Sequence, residues 1–220
     1  MSVELGVVGE SALQFFGKMN ASISHEINNV LAIINENAGL LEDVTLMEKR
    51  GVPLDPEKLK QISGKVLNQI KRANEIIKNM NRFAHSVDET EKMVSIADTL
   101  EFMIILSSRL SDMKRVSFTI DSGSDRIKIT TSPFLLQNII WLCLNYIMNI
   151  AKSGDTVPIY VENHESDVLI RFFGVGRLDD MTTCDFPTER ETSLLEAMNG
   201  KLQFDRGARE IVLRLHGNKK

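Results

Sequence analysis

Apolar positions in the first ninety residues recur with helical spacing. From Phe16 they run Phe16, Ile23, Ile27, Val30, Ile34, Leu41 and Val44, at intervals of threes, fours and sevens. Such a heptad-like stripe suits a helix that packs along another helix better than one lying alone on a surface. Asn20 and Asn37 fall on the same seam, where they either help set register or sit at a wet bundle end. Lys49–Pro56 supplies two prolines and a glycine, and Asp55-Pro56 reads as an N-cap followed by proline at the first helical position. A second stripe follows: Leu59, Ile62, Val66, Ile70, Ala73, Ile77, Met80 and Ala84. Two helices joined by so short a loop form an antiparallel hairpin. One hairpin cannot cover both stripes, so a homodimeric four-helix bundle is expected.

Beyond residue 90 the pattern changes to alternating helices and strands. Residues 96–112 read as a helix through Leu100, Met103, Ile104 and Leu110, and 116–120 and 127–130 as strands around the turn Asp121–Ser124. Ser132-Pro133 opens a very apolar helix that runs to about Lys152. Residues 157–161 and 168–172 pattern as a hairpin, 189–198 as a short helix closed by Asn199-Gly200, and 201–204 with 210–215 as a final hairpin. The expected fold class is α+β: residues 1–90 a dimerising hairpin, residues 91–220 a sandwich of one mixed or antiparallel sheet with helices on one face.

Composition narrows the function classes. The chain has 220 residues, 43% hydrophobic and 25% charged, with a net charge of −4. That balance argues against a protein built to neutralise nucleic-acid phosphates. The longest apolar stretch, Asn138–Ile150, is about a dozen residues and too short to span a bilayer. Cys143 and Cys184 make no disulfide framework, which points to a reducing cytoplasm. No signal-peptide pattern opens the chain.

The first helix carries the candidate chemistry. If Ile23, Ile27, Val30 and Ile34 face the core, His25 projects outward, Asn29 shares its face one turn on, and Glu26 sits beside it. An exposed imidazole attacks phosphorus when one ring nitrogen is neutral, and a neighbouring carboxylate is the natural orienter and base. An amide one turn away is placed to position a water for the reverse hydrolysis. The segment is not the zinc-protease His-Glu-x-x-His, because its fifth residue is Asn29. His25, His85, His164 and His216 are scattered, and no metal site follows from them. On the second helix Lys58, Lys60, Lys65, Lys71, Arg72, Lys78 and Arg82 oppose only Glu57 and Glu75, a basic surplus suited to steering an acidic partner.

Ser24-His25-Glu26-Ile27-Asn28-Asn29-Val30-Leu31 resembles the phospho-acceptor box of bacterial sensor histidine kinases, and Asn74–Phe83 is similar to the second helix of that dimerisation domain. The resemblance implies that His25 is the phosphorylated residue, Glu26 its base, and Asn29 a support for dephosphorylating a response regulator. It also implies that the α+β half stands in the place of the ATP-binding domain. There the chain departs from the family. Of the two asparagine positions of the family's box, the segment Gln137–Tyr146 keeps one as Asn145 and has Trp141 in the place of the other; a register slipped by one turn pairs Asn145 with Asn149 instead. Phe172-Phe173-Gly174-Val175-Gly176 keeps glycines Gly174 and Gly176 of the family's Asp-x-Gly-x-Gly, but Phe172 replaces the aspartate that accepts from adenine. Thr188–Ser193 opens a helix with two carboxylates and no phosphate-cradling glycine.

These departures make autophosphorylation from ATP an unexpected activity. The expectation is a histidine phosphotransferase of the degenerate-kinase type, with no cofactor of its own. His25 passes phosphoryl groups between receiver-domain aspartates, and magnesium arrives with the receiver. The alternatives are a response-regulator phosphatase and a catalytically inactive dimeric scaffold or kinase fragment. The length accommodates the two modules without a sensor or receiver, so partners are expected from outside.

Overall fold

The computed structural model describes residues 2–121, 127–175 and 186–216, with side chains from residue 6 onward. Two long helices come first: α1 (Ser2–Lys49) and α2 (Pro56–Ala84). Strand β1 (Lys92–Ser95), helix α3 (Ile96–Lys114), strands β2 (Ser117–Ile120) and β3 (Lys128–Thr131) and helix α4 (Pro133–Ile150) follow. The chain continues through β4 (Thr156–His164), β5 (Asp167–Phe172), α5 (Glu189–Ala197), β6 (Gly200–Asp205) and β7 (Glu210–His216). These elements make two compact units. Residues 20–84 form the hairpin; the residues up to Met19 group with His85 onward, although the sequence pattern assigned the whole of 1–90 to the hairpin.

The hairpin is ordered by a seven-residue repeat. On α1, Ile23, Val30, Asn37 and Val44 are buried, while Ile27, Ile34 and Leu41 are half-buried. On α2 the covered positions alternate by threes and fours: Leu59, Ile62, Val66, Gln69, Ala73, Ile76, Met80 and Phe83. The expected second stripe is therefore corrected at three places. Ile70, Ile77 and Ala84 are exposed, and Gln69, Ile76 and Phe83 take the inner positions. Each corrected residue lies one position, about 100° of helix, from the inner one. Apolar identity alone drew the stripe a step off its true phase. Asp55 caps α2 as expected, its Oδ1 accepting from the Glu57 N–H at 3.0 Å.

Asn37 is the polar member of the buried repeat. Its Nδ2 donates to the Ile33 carbonyl at 2.7 Å, while its Oδ1 is buried without a partner. A buried unpaired acceptor costs about 1–3 kcal/mol, tolerated where it fixes helix register.

The second unit is a layer of helices on a mixed sheet. The main sheet has the order β2-β4-β5-β7-β6, with β2 parallel to β4 and the rest antiparallel. Strand β3 does not join it but pairs with β1 in a separate two-stranded sheet. At four residues, β1 is too short for a period-two signal. Val157, Ile159 and Val161, Val168, Ile170 and Phe172, and Ile211, Leu213 and Leu215 alternate into the core. Asn199 carries the left-handed turn after α5 at φ 51°. Gly200 is needed for a different reason: a Cβ there would lie 3.3 Å from the Arg214 carbonyl oxygen.

The opposite sheet face is held by ion pairs. Arg171 on β5 reaches Glu162 on β4 at 2.6 Å and Glu210 on β7 at 2.8 Å, tying three strands. The buried Asp167 carboxylate receives Arg214 and the His216 Nδ1, the latter at 2.6 Å. These hydrogen bonds, His216 first and then Arg214, hold the Asp167 carboxyl below its ordinary value.

Helix α4 is the spine of this unit. It runs 18 residues, ending two before the predicted Lys152, and by length and composition it could cross a membrane, although its apolar stretch of about a dozen residues reads as too short to do so. Yet 78% of it is buried inside the fold, which is the signature of a core helix. Cys143 lies at its centre, fully buried; desolvation, then the nearby Glu191 charge, pushes its thiol far above the ordinary range.

Three outcomes follow from this packing. Asn37→Leu removes the unpaired acceptor and raises the thermal midpoint by roughly 3–6 °C, with a broader distribution of oligomers by light scattering. Because the folded Asp167 has the lower pKa, its stabilisation is complete above the ordinary value of 3.8 and fades as pH falls through the folded value. Asp167→Asn starts less stable at neutral pH and loses less on acidification below about pH 4; equal slopes in thermal melts would contradict this. Iodoacetamide followed by peptide mass spectrometry labels Cys143 only after denaturant unfolds the chain.

Candidate functional site

The exposed face of α1 carries the phospho-acceptor candidates. The register that buries Ile23 and Val30 turns His25 and Asn29 outward, one turn apart and about 40° from each other around the axis. Both side chains are exposed, and Glu26 is half-buried on the flank between that face and the seam. Among the described residues the His25 ring has no hydrogen-bond or ion-pair partner. The structure thus brings the three residues together on one stretch of helix, with the imidazole open to an incoming partner. Its neighbour in sequence, rather than a distant group, is the carboxylate at hand.

On α2, all seven predicted basic residues lie at exposed positions. Lys60 approaches Glu57 only to 3.9 Å, with both side chains largely in solvent, so this contact neutralises little of the Lys60 charge.

The α+β unit shows how the residues that depart from the family pattern are placed. Asn145 is half-buried and Asn149 is exposed. Trp141 is only 1% exposed. Its ring centroid is 5.6 Å from that of Phe15, which also lies 5.4 Å from Phe134. Asn138, one turn before Trp141, is buried and donates from Nδ2 to the Ser11 Oγ at 3.2 Å. Phe172 is fully buried at the end of β5, a ring with no acceptor. Gly174 adopts φ +71°, a turn conformation that favours glycine; Gly176 and Cys184 lie outside the described residues, as does most of the span between β5 and α5.

The start of α5 is occupied by its own side chain. The buried Glu191 carboxylate accepts from the Thr188 backbone N–H at 2.8 Å and from the Thr188 hydroxyl. A helix start that holds an internal carboxylate has its positive end neutralised and repels a phosphate. Nearby, Tyr146 of α4 stacks on Phe186 at 4.3 Å, and Phe204 of β6 meets both rings edge-on at 6.1 and 6.2 Å. These aromatic side chains form a cluster at this end of α4. The described residues do not fit a magnesium nucleotide. Among the described residues no group of three or more His, Cys, Asp or Glu side chains is arranged to hold a metal ion.

One feature of the unit is absent from the sequence expectations. The early turns of α1, placed before the hairpin stripe, pack on α4 through Ser11 and Phe15. The signal was present as the four-residue spacing of Ser11, Phe15 and Met19, all buried, but Phe16 beside Phe15 captured the stripe instead. Phe16 is only half-buried.

Comparison with known proteins bears first on the hairpin. Residues 17–89 match the family model of the His Kinase A (phospho-acceptor) domain. No curated protein matches the chain significantly. Among solved structures, the chain is similar to histidine kinase AdeS of Acinetobacter baumannii at 11% identity and a TM-score of 0.49, covering 89% of this chain and 98% of that one. It is also similar to the cytoplasmic segment of histidine kinase QseC, at 13% identity and a TM-score of 0.44, covering 67% and 93%. Histidine kinase ThkA in complex with response regulator protein TrrA gives 13% identity and a TM-score of 0.48, covering 94% and 63%. The segment that carries His25 is thus the part of the chain that matches a phospho-acceptor domain.

Proposed function

We propose that this chain is a histidine phosphotransferase, accepting a phosphoryl group at His25 from the aspartyl phosphate of one receiver domain and passing it to another. The observation that carries the reading is the contrast between its two halves. The helix presents His25 and Asn29 to solvent with Glu26 half-buried beside them, whereas Trp141, Phe172 and Glu191 are buried at positions where the resemblance implies ATP-binding groups. A histidine that is open and a nucleotide site that is closed imply an external phosphoryl source.

The chemistry follows from the residues on α1. A neutral imidazole nitrogen of His25 attacks phosphorus, the bond from phosphorus to the aspartate oxygen breaks, and the aspartate leaves as a carboxylate. A phosphorus–nitrogen bond replaces it, and Glu26 takes the proton from the other ring nitrogen, which keeps the product neutral at the ring. Magnesium belongs to the receiver in this scheme. The basic face of α2 steers that acidic partner, and its effect weakens with added salt.

A homodimer serves the same reading. The hairpin leaves Leu31, Leu67, Ile70 and Ile77 exposed beside the half-buried Ile27, Ile34 and Leu41, and a second copy in the cytoplasm would cover this strip.

Incubation with a receiver carrying labelled phosphate tests the assignment. Label moves to this chain and disappears in His25→Ala, while Glu26→Gln slows transfer by about 100-fold without abolishing it. Release of free phosphate with no labelled chain, lost in Asn29→Ala, would establish the phosphatase instead. Self-labelling from ATP would overturn the proposal.

A further inference from the structure

We propose that the early turns of α1 form a releasable strap over α4, a resident cover on the face that the resemblance gives to nucleotide. Three observations on residues of one compact unit carry it. The first is a one-sided apolar seat. Ser11, Phe15 and Met19, spaced by four, are buried, whereas Leu13 between them is 75% exposed. Phe15 sits against both Phe134 and Trp141, and the Lys18 ammonium lies 4.9 Å above the Trp141 ring. Among the described residues the strap therefore holds by one face only.

The second is a polar clasp at the edge of that seat. Arg190 of α5 donates from Nε to the Ser11 Oγ at 2.9 Å and from Nη1 to the Gln14 Oε1 at 2.6 Å. The same Ser11 Oγ accepts from Asn138. One hydroxyl thus joins α1, α4 and α5, and losing the arginine loosens the clasp without disturbing the core.

The third is a cost built into the closed state. The Asn138 Oδ1 and the Trp141 Nε1 are buried under the strap with no hydrogen-bond partner among the described residues. Both would find water on opening, so solvation favours the open form while aromatic packing favours the closed one. A contact balanced in this way opens more readily than a dry core.

The proposal rests on the reading of the α+β unit as nucleotide-free, and the test separates the two. Trp141 is the chain's only tryptophan, so its fluorescence reports the strap directly. In the full-length chain, Phe15→Ala shifts the emission to the red, raises acrylamide quenching, and speeds hydrogen exchange of amides 8–19 by about tenfold, with β4–β7 unchanged. Arg190→Ala moves all three readouts in the same direction by less. If both variants melt cooperatively and match the wild type in quenching and exchange, the strap is refuted; should Phe15→Ala fail to fold, Arg190→Ala alone decides. Magnesium-ATP titrated into the wild type gives no heat. Binding that leaves Trp141 quenching unchanged would overturn the nucleotide-free reading alone, and binding that exposes Trp141 would show the strap displaced from a site that still works.

Discussion

Burying α4 on nearly every side is the constraint from which the second unit is built. A helix that is 78% buried leaves only a narrow line, at Asn145 and Asn149, toward water, so every other direction around it needs a cover. The sheet supplies one through the inward rows of β4, β5 and β7. Helices α3 and α5 supply the flanks, and the aromatic group of Tyr146, Phe186 and Phe204 closes the C-terminal end. The remaining direction, over Trp141, is covered by Phe15. The indole makes that direction apolar, and the Phe15 ring covers it.

The hairpin obeys the complementary rule. Its seven-residue repeat buries Ile23, Val30 and Val44 and by the same geometry throws His25 and Asn29 outward. Position in the repeat, more than any local partner, makes the imidazole available. Exposure of a reactive side chain is thus a by-product of burying its neighbours, and a one-residue shift in register would swing His25 toward the seam.

Much of this was legible from the residues alone. The α1 seam, the cap at Asp55, α3, α4 and the strand pattern of β4, β5 and β7 all follow from periodicity, because a strongly buried face writes its period into the sequence. The failures have physical causes. Gln69 is polar yet inward, and Ile70 and Ile77 are apolar yet exposed, so composition misplaced a phase that only the three-four alternation could fix. Strand β1 is too short to show a period, and its partner β3 was assigned to the main sheet for want of it. Phe15 and Ser11 were hidden because their partner, Trp141, lies more than a hundred residues away and no local pattern links them. The His25, Glu26 and Asn29 grouping needed only helix geometry, whereas the cover on Trp141 needed the tertiary fold.

The carboxylate of Glu191 at the start of α5 has a consequence for redesign. Replacing it with glycine would free the backbone amides while Trp141 and Phe172 stay buried. Asparagine at 141 alone would leave a void beneath Phe15, and aspartate at 172 alone would bury a charge without a partner. Each single change lowers stability, so the three positions can be exchanged together but not one at a time.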